Sequence, residues 1–336
     1  MRSITCTCSR RFGEHPQWVS SSCGLPRRRI VVAAIIASGA VMAGRFAFVG
    51  AMRRGRTGTS RAPLLSLRVP AEPEFVSDDV LRIGTTLFYF EVPLAHAPPG
   101  YLCIDKTRGL LQSYIDLWEE LRPRRVFEIG IKRGGSTALL AELGVERVVS
   151  VELSDVRVEA LDRYIAERGL QDIVHPWYGV NQADRERLAQ IVTEEFGTEP
   201  LDLVVDDASH LYEESVASFE VLFPRVRPGG LYLLEDWRWN HILANGLTTA
   251  LEKSEKVRRD IEQRMVDEDR LAPETPMSRL VMELVIARAV SGDVVADVAI
   301  GPFWAAVRRG PAVLDPGGFR LDDHAPDHLH VLAPIR

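Results

Sequence analysis

The most constraining feature of this sequence is a short apolar run, residues 125–129, that breaks into a glycine-containing segment. Its glycines are Gly130, Gly134 and Gly135, and residues of high helix propensity follow at 137–143. This pattern predicts a strand, a tight loop and a helix in succession. Glycines let the loop backbone approach a ligand closely, and the N–H groups at the helix start favour polar or anionic groups. The stretch therefore predicts a nucleotide-type cofactor site, with a plain strand-to-helix connection as the alternative.

The spacing of these glycines distinguishes two cofactor classes. A dinucleotide-binding loop has the pattern Gly-x-Gly-x-x-Gly, whereas here Glu128 precedes Gly130 and the next glycine is Gly134. The pattern Glu-x-Gly-x-x-x-Gly resembles motif I of class I S-adenosylmethionine (SAM) methyltransferases, with Lys132 where that motif has its middle glycine. The resemblance implies SAM as the cofactor.

Two later strands are followed by polar residues suited to a nucleoside. One predicted strand ends in Glu152, about 20 residues beyond the glycines, where a carboxylate can bind a ribose diol. Another, at 173–178, is followed by Gln182 and Asp184, which we expect near the adenine. Asp184 has an alternative role as the N-cap of the next predicted helix, 185–196.

Acidic residues end two further predicted strands. One strand ends in Asp206 and Asp207, with His210 three residues further on. The next ends in Glu235 and Asp236. The carboxyl ends of parallel strands lie along one edge of a sheet, and two acid pairs there repel each other unless a cation offsets them. Oxygen ligands without cysteine favour Mg²⁺, with Mn²⁺ or Ca²⁺ as alternatives. A solvated strand edge is the structural alternative.

Three segments together resemble one enzyme group over residues 105–309: Glu-x-Gly…Gly-Gly-Ser, Asp-Asp-x-Ser-His and Pro-Gly-Gly-x-Tyr…Glu-Asp. They resemble the cephalosporin hydroxylase-like and macrolide-sugar O-methyltransferases, which are SAM-dependent, metal-requiring enzymes that methylate sugar hydroxyls. This resemblance implies that Asp207, Glu235 and Asp236 hold the metal and that His210 is the base. The predicted catalytic residues are therefore His210 and Asp207. The chain departs from the group at Ala208, where glycine is usual.

The sequence therefore predicts a SAM-dependent O-methyltransferase, assisted by Mg²⁺ or Mn²⁺, that acts on a glycosylated small molecule. The predicted cofactor-binding residues are Glu128, Gly130, Gly134, Gly135, Ser136, Glu152, Gln182, Asp184 and Asp206. Two alternatives stay open: a nucleotide-cofactor oxidoreductase on the same scaffold, and a catalytically silent accessory protein of a biosynthetic cluster. The oligomeric state is also open, with a homo-oligomer as one expectation.

Strands and helices alternate through the middle of the chain, which predicts an α/β, doubly wound Rossmann-like sheet of about seven strands with helices on both faces. The last two predicted strands, 293–300 and 303–308, form a hairpin that reverses the final strand. We divide the chain into a leader outside the fold, an N-terminal lid and helical segment, a methyltransferase domain and a C-terminal tail, at 1–62, 63–122, 123–310 and 311–336.

Other segments carry weaker signals. We predict a short helix near 78–83, a charged helix at 244–266 and an apolar helix at 276–288 that covers the sheet. The sequence 227–230, Arg-Pro-Gly-Gly, predicts a turn. The tail contains three histidines, but their irregular spacing among Pro and Asp indicates a solvated segment and no metal site.

The charge is distributed unevenly along the chain. Residues 1–62 contain 11 Lys and Arg against Glu14 alone, whereas the rest contains 30 Lys and Arg against 46 Asp and Glu. An acidic body argues against nucleic-acid binding, which needs a basic surface. Four irregularly spaced cysteines do not form a disulfide framework, which indicates a reducing compartment.

The leader has three interpretations. Its residues 30–52 are largely apolar and follow Arg27, Arg28 and Arg29, as in a signal peptide or a membrane-associated segment. A start codon at Met42 or Met52 would leave most of it untranslated. Because SAM is a cytoplasmic cofactor, we expect a cytoplasmic protein without stable membrane association, and membrane association through 30–52 is the alternative.

Overall fold

The protein is described by a computed structural model that covers residues 71–90, 98–242 and 275–325. All of these residues belong to one compact unit, Leu65–Arg336. The predicted leader, the predicted helix at 244–266, His328 and His330 lie outside the described residues. Within the ranges described, no helix is both long and apolar enough to cross a membrane.

A small four-stranded sheet precedes the main fold. Its strands, adjacent in chain order, are β1 (Pro73–Phe75), β2 (Val80–Ile83), β3 (Thr86–Tyr89) and β4 (Leu102–Cys103). The prediction of a short helix near 78–83 is wrong, because this stretch forms β2. Leu81 and Ile83 are buried while Arg82 between them is exposed, which is the two-residue alternation of a half-buried strand.

A seven-stranded sheet forms the centre of the fold. Its strands are β5 (Arg125–Ile129), β6 (Arg147–Glu152), β7 (Val174–Tyr178), β8 (Leu201–Asp206), β9 (Val226–Glu235), β10 (Val295–Ile300) and β11 (Trp304–Arg309). Their order in the sheet is β10-β11-β9-β8-β5-β6-β7. The strands β5 to β9 run parallel, and β11 is antiparallel to both of its neighbours. The predicted sheet and its reversed last strand are confirmed.

Six helices are described beside this sheet: α1 (Arg108–Leu121), α2 (Gly135–Glu142), α3 (Glu159–Arg168), α4 (Arg185–Phe196), α5 (Tyr212–Leu222) and α6 (Ser278–Val290). Helix α1 begins after Thr107, whose side-chain oxygen accepts a hydrogen bond from the Leu110 N–H. It ends at Leu121, and Arg122 caps it outside the helical conformation, because the following Pro123 disfavours helical backbone at Arg122. Helix α3 ends at Gly169 with a φ of 62°, a conformation that glycine adopts without strain.

Alternating residues of the central strands supply an apolar core on each face of the sheet. Phe127 and Val149 contribute to one core, and their neighbours Val126 and Val148 contribute to the other. Residues of α4, α5 and α6 cover the first core, and residues of α1, α2 and α3 cover the second. Burial on both faces explains the continuous apolar strands and confirms the doubly wound arrangement.

The Arg-Pro-Gly-Gly segment 227–230 lies inside β9, so the prediction of a turn is wrong. Leu201 pairs with Val226, but Leu203 already pairs with Leu231. The four intervening residues of β9 therefore bulge out of the ladder, and Gly229 takes a φ of 79°. The glycines therefore form a bulge within a strand that continues to Glu235.

The described end of the chain is packed against the sheet. Phe319, Leu321 and Ala325 are buried and belong to the core covered by α4, α5 and α6. The backbone N–H of Leu321 donates to the buried carboxylate of Glu220, 2.9 Å away. The prediction of a solvated tail is therefore wrong for residues 311–325, where apolar residues between Pro and Gly anchor an irregular segment.

Candidate active site

A cavity of about 760 Å³ opens at the carboxyl ends of β5, β6, β8 and β9. The chain leaves β5 toward β6 on one side and later returns to β8 on the other, so the strand order reverses at this point. Such reversals create the crevice where α/β sheets bind ligands, and the volume suits a small molecule. The glycine loop after β5 and the residues that follow β8 and β9 line this cavity.

The glycine loop is shaped by close backbone contacts. Gly130 has a φ of 102°, and a Cβ atom there would overlap the carbonyl oxygen of Asp207. A Cβ at Gly135 would overlap the carbonyl oxygen of Cys103. Gly130, Gly135 and Ser136 line the cavity, as predicted for cofactor contacts. Gly134 caps α2, and a Cβ atom there would lie 2.7 Å from the Cβ of Leu161, while its contact with the cofactor stays a prediction.

Replacing Gly130 tests this packing. Gly130→Ala is expected to lower the free energy of unfolding by roughly 3 kcal/mol or more, because backbone strain and overlap with a carbonyl add together. The matched control is Gly169→Ala, which also has a positive φ but nothing within 4 Å of its Cβ. The control should lose only about 1–2 kcal/mol. Urea unfolding of both variants measures the difference. Equal losses of unfolding free energy would show that the backbone shifts to remove the overlap at Gly130.

Glu152, at the end of β6, faces both the loop and the cavity. Its Oε2 accepts hydrogen bonds from the backbone N–H groups of Ile131 (3.0 Å) and Lys132 (2.8 Å). Its Oε1 accepts from the Ser154 N–H at 3.2 Å. The carboxylate thus fixes the glycine loop and also lines the space predicted to hold a ribose.

Glu128 lies behind the loop, away from the cavity wall. Its carboxylate is 1% exposed and accepts hydrogen bonds from the hydroxyls of Thr137 (2.5 Å) and Ser150 (2.6 Å). Burial raises the pKa of Glu128, and these hydroxyls oppose that effect. Glu128 thus joins β5, β6 and the start of α2, and its contact with the cofactor stays a prediction.

Gln182 connects the predicted adenine side to the end of β8. It lines the cavity, its Nε2 donates to Asp206 at 2.7 Å, and its Oε1 accepts from the Ser209 N–H at 3.2 Å. Asp206 also accepts from the hydroxyls of Ser218 and Tyr232, and burial raises its pKa to about 7. Asp206 does not line the described cavity but orients Gln182, and its own contact with the cofactor stays a prediction.

Asp184 has the role that was the alternative in the sequence. Its side chain accepts a hydrogen bond from the Arg187 N–H at 2.9 Å and caps α4. It lies outside the lining of the described cavity, and its contact with adenine stays a prediction.

Asp207, His210 and Asp236 converge on the opposite side of the cavity. One potential ligand atom from each lies within 4.8 Å of the others. His210 Nε2 lies 3.8 Å from Asp207 Oδ1 and 3.9 Å from Asp236 Oδ2, too far for hydrogen bonds. The two carboxylates supply oxygen ligands of the kind that Mg²⁺ and Mn²⁺ prefer, and the His210 imidazole lies beside them. The structure thus brings together three of the four residues predicted to be the metal ligands and the base.

Glu235, the fourth of those residues, is turned inward. It is 1% exposed, and its two oxygens accept hydrogen bonds from the Tyr114 hydroxyl and, at 2.7 Å, from the Lys106 ammonium. Burial raises the pKa of Glu235 to about 7, with Asp207 adding to the effect and Lys106 opposing it. Burial also raises the pKa of Asp236. In this structure the Glu235 carboxylate does not belong to the group formed by Asp207, His210 and Asp236.

Lys106 and Tyr114 are site residues that sequence reasoning did not find. Lys106 Nζ also donates to Asp207 Oδ2, at 2.6 Å, so its ammonium contacts one carboxylate of each acid pair. Although burial opposes it, the two carboxylates raise the pKa of Lys106 well above its ordinary value. The signal in the sequence was the position of Lys106 immediately before Thr107, the N-cap of α1. Helix α1 leads directly into β5, the strand before the glycine loop.

Backbone strain concentrates in this site. Three of the four described non-glycine residues with positive φ line the cavity: Lys132 (51°), His210 (56°) and Asp236 (49°). Such conformations cost free energy and persist only where the surrounding structure imposes them. His210 Nδ1 is also buried without a hydrogen-bond partner among the described residues.

Comparison with known proteins identifies the class. Residues 127–237 match a family described as "Methyltransferase domain". This match and the fold identify residues 127–237 as a class I SAM-dependent methyltransferase domain, which confirms the class that the sequence predicted. This domain is related to the macrolide-sugar O-methyltransferases.

The relatives match over short segments. Demethylmacrocin O-methyltransferase of Streptomyces fradiae is 60% identical over 37 residues, which cover 11% of this chain and 9% of that protein. 8-Demethyl-8-(2-methoxy-α-L-rhamnosyl)-tetracenomycin-C 3'-O-methyltransferase of Streptomyces olivaceus is 36% identical over 116 residues, covering 34% of this chain and 28% of that protein. The chain thus matches less than a third of either relative.

A solved structure of MycE, a methyltransferase from the mycinamycin biosynthetic pathway in complex with Mg, SAH and mycinamycin VI, is also similar. It is 21% identical, with a TM-score of 0.43, over 59% of this chain and 49% of that chain.

Proposed function

We propose that this protein is a SAM-dependent O-methyltransferase that methylates a hydroxyl group of a glycosylated small molecule with the help of a divalent metal ion. One observation carries the proposal: the cavity has the glycine loop and Glu152 on one side, and Asp207, His210 and Asp236 on the other. The relatives support the acceptor class, since one is an O-methyltransferase for a rhamnosyl compound.

The cofactor side of the cavity suits a nucleoside attached to an amino acid. SAM, when bound, supplies the methyl group. Gly130 and Gly135 line the cavity, and Gly135 and Ser136 begin the helix α2, whose first N–H groups suit polar ligand atoms. Glu152 would accept hydrogen bonds from the ribose hydroxyls, and Gln182, held by Asp206, would lie near the adenine.

The acceptor side suits a metal and a base. Asp207 and Asp236 would hold Mg²⁺ or Mn²⁺, which when bound would lower the pKa of the acceptor hydroxyl. His210 Nε2 would take the proton of that hydroxyl. Glu235 would become the third acidic ligand only after leaving Lys106.

The cofactor assignment predicts the behaviour of a Glu152 variant. Glu152→Ala is expected to weaken binding of SAM or its demethylated product by roughly 10- to 100-fold, because charge-assisted hydrogen bonds contribute about 1.5–3 kcal/mol. Isothermal titration calorimetry measures the change. Glu146→Ala is the control, since Glu146 forms only a surface ion pair with Arg124 and should bind like the parent.

Two outcomes would redirect the assignment. Binding of NADH without binding of SAM would indicate an oxidoreductase, the first alternative given by the sequence. Tight binding of SAM with no methyl transfer to any of a panel of rhamnosylated and other glycosylated acceptors would favour the silent accessory protein. Methyl transfer from labelled SAM to a sugar hydroxyl, located by mass spectrometry, is the result expected.

A further inference from the structure

We propose that Lys106 competes with a divalent metal ion for Asp207 and Glu235, so that this lysine sets the metal affinity of the site. The inference rests on the proposed metal-assisted function and adds a residue to it. Lys106 lies in the loop between β4 and α1, 101 and 129 residues before its two partners in sequence.

The geometry gives Lys106 the position of a fixed counter-ion. Its side chain is only 3% exposed, and its Nζ lies 2.6 Å from Asp207 Oδ2 and 2.7 Å from Glu235 Oε2. The ammonium also lies 5.4 Å from the centre of the Tyr114 ring, whose hydroxyl donates to the remaining oxygen of Glu235. Both oxygens of Glu235 are therefore occupied by donors of the chain itself.

Asp207 is shared between two neighbours. Its Oδ2 accepts from Lys106, while its Oδ1 points toward His210, 3.8 Å from Nε2. A divalent ion among Asp207, His210 and Asp236 would therefore meet a carboxylate whose charge is already partly balanced. It would also lie close to a second cation, the buried Lys106 ammonium, and the two like charges repel each other.

Two consequences follow for metal binding. With Lys106 in place, the site offers a metal ion two carboxylates, those of Asp207 and Asp236, because Glu235 is held away. If Lys106 moves, Asp207 is fully available and Glu235 is released from one of its two donors. Metal binding and displacement of the Lys106 ammonium are thus linked, and the lysine weakens the affinity of the site.

The test uses Mn²⁺, whose free form is measured by electron paramagnetic resonance. Lys106→Met, which keeps length but removes charge, is expected to lower the Mn²⁺ dissociation constant by about tenfold or more. Lys106→Arg keeps the charge and should stay within about threefold of the parent. A purely structural role would loosen the site, so tighter binding in Lys106→Met is specific to competition. Unchanged or weaker binding in a folded Lys106→Met protein overturns the proposal.

A second pair of variants covers the case in which Lys106→Met does not fold because Glu235 is left unpaired. The double variant Lys106→Met/Glu235→Gln contains no buried unpaired charge and is compared with Glu235→Gln alone. It should bind Mn²⁺ about tenfold more tightly than the single variant, and equal binding overturns the proposal.

The same titrations separate this inference from the proposed function. If the parent binds no Mn²⁺ but Lys106→Met does, the competition holds and the metal-assisted mechanism of the parent fails. If neither binds, both fail, while calorimetry with SAM still reports on the cofactor site independently.

Discussion

Removal of divalent metal is expected to reduce methyl transfer by about a thousandfold or more. A bound metal supplies several kcal/mol of stabilisation to the charge that develops on the acceptor oxygen, and about 4 kcal/mol corresponds to that factor. Steady-state rates in EDTA and after re-addition of Mg²⁺ measure the effect. Asp207→Asn should cause a similar loss, because it removes the carboxylate shared by Lys106 and the candidate metal site.

Binding of SAM provides the internal check on this result. The cofactor side of the cavity comes from the loop after β5 and from the end of β6, so Asp207→Asn should bind SAM nearly as well as the parent. Asp172→Asn, which changes an exposed acid in the connection between α3 and β7, serves as the matched control and should keep full activity. Undiminished methyl transfer in EDTA would mean that the acids at this edge act without a metal.

Loss of the His210 imidazole is expected to slow the chemical step by roughly 10²–10⁴-fold, the usual contribution of a positioned general base. His210→Ala should still bind SAM and Mn²⁺. The activity ratio between parent and variant should shrink as pH rises, because hydroxide can partly replace the base when the acceptor hydroxyl is made more acidic. A pH series of single-turnover rates measures this trend.

The competing role of His210 as a metal ligand gives a different result. In that case His210→Ala would lose Mn²⁺ affinity together with activity, and raising the pH would not restore the rate. His175→Gln is the control, since His175 contacts Glu195 beside β7 and does not line the described cavity. A His210→Ala protein as fast as the parent at neutral pH would remove this residue from the mechanism.

The parts of the site that follow directly from strands could be predicted from the sequence. Glu152, Asp207 and Asp236 each come at or just after the end of an apolar run, and parallel strands bring such ends to one edge. Whether a side chain points into the cavity could not be predicted this way. Asp206 and Asp207 are neighbours, yet Asp206 is buried with Tyr232 and only Asp207 reaches the cavity.

Long-range contacts were the other limit of sequence reasoning. Lys106 carries no local pattern that points to Asp207, because the contact depends on how the loop before α1 lies across the glycine loop. The strand Val80–Ile83 was mistaken for a helix, since its burial depends on pairing with β1 and β3. Both errors concern the segment before the repeating strand–helix units, where periodicity gives the least information.

The positive φ angles at Lys132, His210 and Asp236 bear on attempts to engineer this protein. A thermostabilisation campaign that ranks positions by folding energy alone would choose glycine or asparagine at all three, because both tolerate this backbone conformation better. Two of those three substitutions would remove residues to which we assign proton transfer and metal binding. A library aimed at heat tolerance should therefore keep these positions fixed and seek its gains in the outer helices.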